Sequence, residues 1–513
     1  MDERCCLSLF RTFHVCHEIA IELRQRPPLA DGTPAPYDLK LRGFALRVFL
    51  ASGLIGLVLT GQPACAQPTA LPIPESDPLS IDMDSDPLLA LERRDGGLAL
   101  FKQRLQEAAT ESPAIAEAEA RNLEAVAGRR LAKAGQLPAG ELSISSFRTL
   151  SREFSNDPQN IIERSRARQR TDALISLTQP LIDFGASGDR IAAAEERVTS
   201  SEARFTGVAE DVGLRAISAW YDLFSARTLV ALGEALDASH VSLGEAIDER
   251  IVQGVSARAD RIRIDGTIAA ARARLAGFRR SEAGAVARFT ELLGVPPETI
   301  ERAPLPTPVR VLDPESIAQA IETTPAVRAV EAEAKASRRD AQALRADLLP
   351  SISASVDAGR YGVFETDIDY DVRARLNVRL RLFGGGDARA DQAAARAMAD
   401  GARADRVRDE ALREASIAAS DVRALEEQLV ALRNNYVAAR ISRDVLTERF
   451  RVARGSLFDV LSAEDAFFAT ATAYIQGIVD LDLARYVLLA RTGGLLPALG
   501  LDRLSPTTWE AIR

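Results

Sequence analysis

The chain has 513 residues, of which 47% are hydrophobic, only 5% aromatic and 27% charged, with a formal net charge of −9. So few aromatic anchors favour long amphipathic helices over a conventional enzyme core. The acidic balance argues against general nucleic-acid binding.

All four cysteines, Cys5, Cys6, Cys16 and Cys65, lie near the N-terminus. Lys40, Arg42 and Arg47 precede the apolar run VFLASGLIGLVL, Val48 to Leu59, and ACA at Ala64–Ala66 fits a small-x-small cleavage site. The apolar run is too short to span a bilayer as a helix. Residues 1–66 are therefore expected to be an N-terminal extension and a cleaved export signal, leaving a mature chain without cysteine. A lipid anchor on Cys65 is disfavoured because Gln62 stands where a Leu-like residue is wanted. Residues 67–95, rich in Pro, Asp and Ser, are expected to be flexible.

The chain then repeats itself. SPAIAEAEA at Ser112 matches TPAVRAVEA at Thr324, an offset of 212 that holds without a gap to Leu137-Pro138 against Leu349-Pro350. Each Leu-Pro leads into an alternating segment, then a polar loop, a second alternating segment and a Gly-containing junction, QPLIDFGASGDR or LRLFGGGDARAD. A long helical run follows each junction. Between Ala186 and Val252 only scattered glycines interrupt it, and a continuous helix there would reach on the order of 100 Å at ~1.5 Å per residue. Each long run breaks at a similar turn, ERIVQGVSARAD from Glu249 and ERFRVARGSLFDVL from Glu448. The plan is helix, strand, loop, strand, long helix, turn, helix, performed at 96–297 and again at 315–496. A Pro-rich linker (298–314) joins the copies, and a tail (497–513) follows.

DVRARLNVRLRL, Asp371 to Leu382, alternates strictly. Val372, Ala374, Leu376, Val378, Leu380 and Leu382 share one face, and Arg373, Arg375, Asn377, Arg379 and Arg381 the other. That length suits a membrane-spanning strand of roughly 9–11 residues. Four strands cannot close a barrel, and open edges are not tolerated in lipid, so several chains would have to pool theirs.

With this two-repeat plan, these junctions and these two turns, the chain resembles the TolC family of outer-membrane channel proteins over 98–496. The resemblance implies a mainly α fold with a small β portion. It implies a homotrimer in which each subunit gives four β-strands to a shared 12-stranded barrel in outer-membrane lipid, above a coiled-coil tunnel through the periplasm. It implies an exit duct for a tripartite efflux or type I secretion system, docked on a periplasmic adaptor and driven by an inner-membrane pump of RND or ABC type. Gly254, Val255, Ser256 and Gly455, Ser456, Leu457 would be the tips that the adaptor grips. Asp459, with Ser462 one turn on, would face the narrow periplasmic aperture, where three copies make an acidic ring. Asp459 equally suits the first turn of a helix. Asp260 and Phe450 occupy gate-contact positions, although Phe450 lacks the hydroxyl that would donate to Asp260. Ala453 replaces an expected glycine, and Gly455 is expected to supply the flexibility instead. Arg373, Arg375, Arg379 and Arg381 would either draw anions into the barrel lumen or pair with neighbouring carboxylates.

Enzyme readings find little support. His14 and His17 precede the cleavage site, and His240 stands alone on a helix face where it is expected to be solvated. No Cys/His cluster suits a metal, no phosphate-binding loop is present, and no cofactor is implied. The rival readings are a periplasmic adaptor, which would carry one hairpin flanked by β-rich domains, and a non-channel coiled-coil scaffold.

Overall fold

The computed structural model describes residues 83–93, 98–304, 313–365 and 369–501. The chain divides into units 1–65 and 66–513, and everything below concerns the second. The export signal, the cysteines, residues 305–312 of the linker and the end of the tail lie outside the described residues.

Two helix–strand–strand–helix units follow one another. After α1 (Pro87–Arg93) and α2 (Leu98–Glu111), the first unit comprises α3 (Pro113–Ala134), β1 (Ala139–Arg148), a short α4 (Ile161–Ser165), β2 (Gln169–Ile182), α5 (Ala186–Val252) and α6 (Arg258–Leu293). After α7 (Pro314–Ile321), the second comprises α8 (Pro325–Ala346), β3 (Ser351–Arg360), β4 (Tyr370–Arg379), α9 (Gly386–Arg451), α10 (Leu457–Arg491) and a final short α11 (Leu495–Leu499). The equivalent helices α3 and α8 both start with a proline after an extended Ser112 or Thr324, where the missing N–H costs nothing.

The helix α5 runs unbroken for 67 residues and α9 for 66. Near the strands α3, α5, α8 and α9 lie side by side in that order; towards the far end α6 packs on α5, α10 on α9, and α10 also on α5. Buried alanines line these contacts, among them Ala193, Ala332, Ala336, Ala415 and Ala471, and their small side chains let backbones approach closely. Three apolar clusters stabilise the helices. One gathers Phe101, Trp220, Phe289 and Tyr486, with the Phe101 and Trp220 rings edge-on at 5.2 Å. A second stacks Tyr436 on Tyr474 at 5.6 Å beside Phe467. The third lies at the turns.

The waist is tied by buried charges. Arg302 donates from Nε to Asp482 Oδ2 at 2.7 Å and from Nη2 to Oδ1 at 2.9 Å, while the Tyr221 hydroxyl donates to Oδ2 at 3.1 Å. Burial, followed by the Asp482 charge, pushes the Tyr221 hydroxyl far above its ordinary range. Part of the segment expected to be flexible is helical and docked. Asp86 caps α1 through Leu88 N and Leu89 N at 2.8 and 2.9 Å, and accepts hydrogen bonds from Tyr436 and Arg440. Leu88 and Leu89 enter the second cluster beside Ile317 and Ile321. Those two leucines supply apolar burial that a polar composition conceals.

The strands form one antiparallel sheet in the order β1-β2-β3-β4. The arginine-bearing strand stops at Arg379, which pairs with Ser351; the preceding Pro350 has no N–H to continue the ladder. Leu380, Arg381 and Leu382 therefore belong to the junction, and Arg381 lies beyond the sheet.

Candidate functional site

The register of the sheet separates two chemistries. Leu142 and Ile144 lie opposite Ile175 and Ala173; Ile175 and Leu177 lie opposite Ala358 and Val356; and Ile352, Ala354, Val356 and Ala358 lie opposite Val378, Leu376, Ala374 and Val372. Alternation places all of these on one face. Its large side chains are exposed, with Leu142 at 64%, Ile144 at 69% and Leu376 at 67%. So continuous an apolar surface requires an apolar surrounding. Phe184 and Phe383 stand exposed where strands give way to helices, as in the aromatic girdle of a membrane barrel. Both sheet edges, β1 and β4, lack a partner strand among the described residues.

The opposite face carries Ser143, Ser145, Ser176, Ser353 and Ser355 together with charged residues. Of Arg170, Arg373, Arg375 and Arg379 on this face, the first three pair with carboxylates, while Arg379 has no ion-pair partner among the described residues. Arg375 pairs with Asp357, Arg373 with Asp371, and Arg170 Nε with Asp172 at 2.8 Å. Within the arginine row, Arg373 and Arg375 are the ones that have carboxylate partners among the described residues.

The strand-to-helix junctions rest on left-handed residues. Phe184 and Gly185 have φ of 51° and 94°, and Gly384 and Gly385 have 117° and 73°. Asp183 accepts from Gly185 N at 3.1 Å and Ser187 N at 2.7 Å. Burial pushes its carboxyl up, but these hydrogen bonds outweigh it and hold the pKa below the ordinary value.

At the far end the two turns share one geometry at an offset of 199. Val255 N donates to Arg250 O and Arg454 N to Arg449 O, both at 2.8 Å, closing each helix in the same way. Gly254 supplies the left-handed residue at φ 77°; its counterpart is Ala453 at φ 60°. The sequence pointed to Gly455 as the flexible residue. Instead, Ala453 adopts the left-handed conformation that the turn demands. Gly455 serves close approach: a Cβ there would sit 3.1 Å from Phe450 N.

Phe450 is buried with Ile247, Ile264, Leu457, Val460 and Leu461, so the two turns share one small core. The Arg250 guanidinium lies 4.4 Å from the Phe450 ring centre and donates to the Phe450 carbonyl at 3.0 Å. Thus Phe450 joins the two repeats inside one chain. Asp260 accepts from Ala257 N at 3.2 Å and so closes the start of α6. Of the tip residues, Leu457 is buried, whereas Gly254, Val255 and Ser456 are exposed and Ser256 and Gly455 half-buried.

Asp459 is exposed and completes a capping box: Ser456 Oγ accepts from Asp459 N at 3.2 Å, and Asp459 Oδ2 accepts from Ser456 Oγ at 2.8 Å. Ser462 is exposed one turn on. The nearby acids do not extend the pair. Glu464 is buried and accepts from Ser239, and Asp465 pairs with Arg274 at 2.8 Å. His240, expected on a solvated face, is 3% exposed, and neither ring nitrogen has a hydrogen-bond partner among the described residues. The polar look of its neighbours in sequence concealed an inward position on α5.

Among the described residues no helix is long and apolar enough to cross a membrane. No His, Cys, Asp and Glu side chains gather there as a metal site would need.

The model of a family described as outer membrane efflux protein matches residues 104–295 and 316–494. The chain is similar to the outer membrane efflux protein BepC of Brucella suis, 25% identical over 324 residues, covering 62% of this chain and 71% of that protein. In fold it is similar to a crystallised membrane protein from Pseudomonas aeruginosa, with TM-score 0.68, 20% identity and coverage of 77% and 92%. It is likewise similar to the outer membrane protein VceC of Vibrio cholerae, with TM-score 0.65, 18% identity and coverage of 78% and 96%.

Proposed function

The chain belongs to the outer membrane efflux protein family, and on that premise we propose how its parts act as an outer-membrane exit duct. The observation that carries the reading is the sheet with one apolar and one polar face and two open edges. In lipid those edges must be paired, so β4 of one copy joins β1 of the next and a homotrimer closes the barrel. The apolar face meets the hydrocarbon and the Ser-rich, charge-balanced face with Arg373, Arg375 and Arg379 lines the water-filled lumen. The long helices continue the passage into the periplasm, which the chain reaches by a cleaved signal within 1–66.

Energy comes from a partner. The duct works with an adaptor and an inner-membrane pump of RND or ABC type, in efflux or in type I secretion. Gly254, Val255 and Ser256, with Gly455 and Ser456, offer the adaptor a tip of small side chains stiffened from below by Leu457 and Phe450. Asp459 serves twice: Oδ2 caps α10, while the exposed carboxylate contributes to a ring of three at the aperture. Such a ring attracts cations.

The test is single-channel conductance of the purified mature protein in planar bilayers, beside Asp459→Asn. Stable steps whose cation preference falls about two- to threefold in the variant are expected, following the loss of an electrostatic ring. Unchanged selectivity would move the constriction away from Asp459, and a protein that folds but never inserts would sink the duct.

A further inference from the structure

The helices below the sheet carry two arginine rows. Arg190, Arg197 and Arg204 recur at heptad spacing on α5, and Arg389, Arg396 and Arg403 recur identically on α9, at the same offset of 199 as the turns. The burial pattern follows this alignment: Val198 and Phe205 are buried, as are Ala397 and Ala404. The two rows are equivalent positions of the two repeats.

Their electrostatic surroundings differ. On α5, Arg190 pairs with Asp347, Arg197 with Asp340, and Arg204 with Glu333 at 3.3 Å. Glu333 and Asp340 sit on the antiparallel α8 and Asp347 caps its C-terminus, also seven residues apart, and together they form a ladder. On α9, neither Arg389 nor Arg396 has an ion-pair partner among the described residues, and both are exposed. The equivalent of α8 in the first repeat is α3, and the offset of 212 replaces the ladder acids with Arg121, Gly128 and Gly135. If copies of the chain close a ring by repeating the α5–α8 contact between α9 and a neighbouring α3, the positions that carry counter-ions inside the chain carry none at the seam.

Arg389 and Arg396 also share a half-open groove with the paired row. The side onto which α3, α5, α8 and α9 all look holds a groove of about 1720 Å³, lined by Arg190, Arg197, Arg204, Arg389 and Arg396 among seven arginines, against the five carboxylates Glu117, Glu124, Asp211, Glu333 and Asp340. We propose that Arg389 and Arg396 form an anion-binding belt in the helical tunnel just below the barrel, and that multivalent anions are among the solutes this duct conducts. The inference rests on the exit-duct reading. It assigns anion preference to the tunnel rather than to the barrel, where Arg373 and Arg375 are paired with carboxylates. Excess guanidinium charge in a confined aqueous passage raises the local anion concentration and offers bidentate contacts to carboxylate and phosphate.

The experiment uses the purified protein in planar bilayers, with inorganic tripolyphosphate added on one side as the probe. Tripolyphosphate is expected to reduce wild-type conductance in a concentration-dependent manner. Arg389→Gln/Arg396→Gln should raise the half-blocking concentration at least fivefold, and Arg389→Lys/Arg396→Lys should restore it to within twofold. Arg190→Gln/Arg197→Gln, in the neutralised ladder, and Arg373→Gln/Arg375→Gln, the paired arginines of the barrel, should change it less than twofold. Channels that conduct normally but show no block, or equal block in the α9 double variant, overturn the belt and leave the duct intact. Wild-type protein that forms no channel overturns both. Since both arginines are exposed, an unchanged thermal transition of the variants separates loss of charge from loss of fold.

Discussion

Glu210 shows how a single side chain can set a pH response. It lies almost fully buried on α5, and burial, opposed by the Arg491 charge, pushes its carboxyl from an ordinary value of 4.5 to about 7. A carboxyl whose folded pKa lies above its unfolded one binds its proton more tightly in the folded state. Folding stability therefore declines as pH rises from 4.5 to about 7, and the full penalty is present above that window. Glu210→Gln should stabilise the protein at pH 8, by an amount on the order of 3 kcal/mol, and have little effect at pH 4. Thermal unfolding at the two pH values checks this; equal gains at both would refute it. Ala453 carries a different strain, because its Cβ tolerates a left-handed backbone poorly. Ala453→Gly should raise stability by about 0.5–1 kcal/mol, while Gly455→Ala should lower it by forcing a Cβ against Phe450 N.

The sheet is the element with the clearest division of labour. Its register gathers the apolar residues of four strands onto one exposed face, which fits a lipid surrounding and would be an aggregation hazard in water. Leu376→Arg near the middle of that face should cost about 2–4 kcal/mol at the bilayer midplane. Its effect appears as loss of heat-resistant oligomer from the outer-membrane fraction. Ser355→Thr on the opposite face should leave that fraction unchanged. Alternation within β4 was legible in the chain, because a period of two needs no knowledge of the partner strands. The end of β4 was not legible, since it is fixed by Pro350 at the start of the neighbouring strand.

The whole molecule is held at its waist by groups far apart in the chain. Arg302 and Asp482 form a buried pair, and Arg302 also donates to the Glu92 carbonyl at 2.5 Å, so one guanidinium ties the linker, the N-terminal segment and α10 together. Arg302→Met leaves the buried Asp482 with only Arg485, at 3.8 Å, as counter-charge and should cost about 3 kcal/mol, read as a lower thermal transition. Loss of Asp482 at the same time should recover part of that stability, because the pair is removed rather than broken. A waist built this way explains how two repeats with small aromatic content hold a fixed relation: specificity comes from a few fully buried polar contacts among many interchangeable alanines.

By itself the sequence determined the duplicated plan, the two long helices and the position of both turns, because periodicity, internal offset and glycine placement are local properties of the chain. Asp459 was visible as a first-turn residue for the same reason, whereas its reciprocal hydrogen bonding with Ser456 came from the structure. Only the tertiary structure decided what depends on neighbours distant in sequence. It placed Phe450 in a core beneath Arg250, buried His240, docked Leu88 and Leu89, and paired Arg373 and Arg375 of β4 with carboxylates. Of two arginine rows indistinguishable in sequence, it balanced one with carboxylates and left Arg389 and Arg396 on the other without an ion-pair partner among the described residues. The reason is that heptad spacing states which side of a helix a charge occupies, whereas only the packed neighbour states whether that charge is compensated.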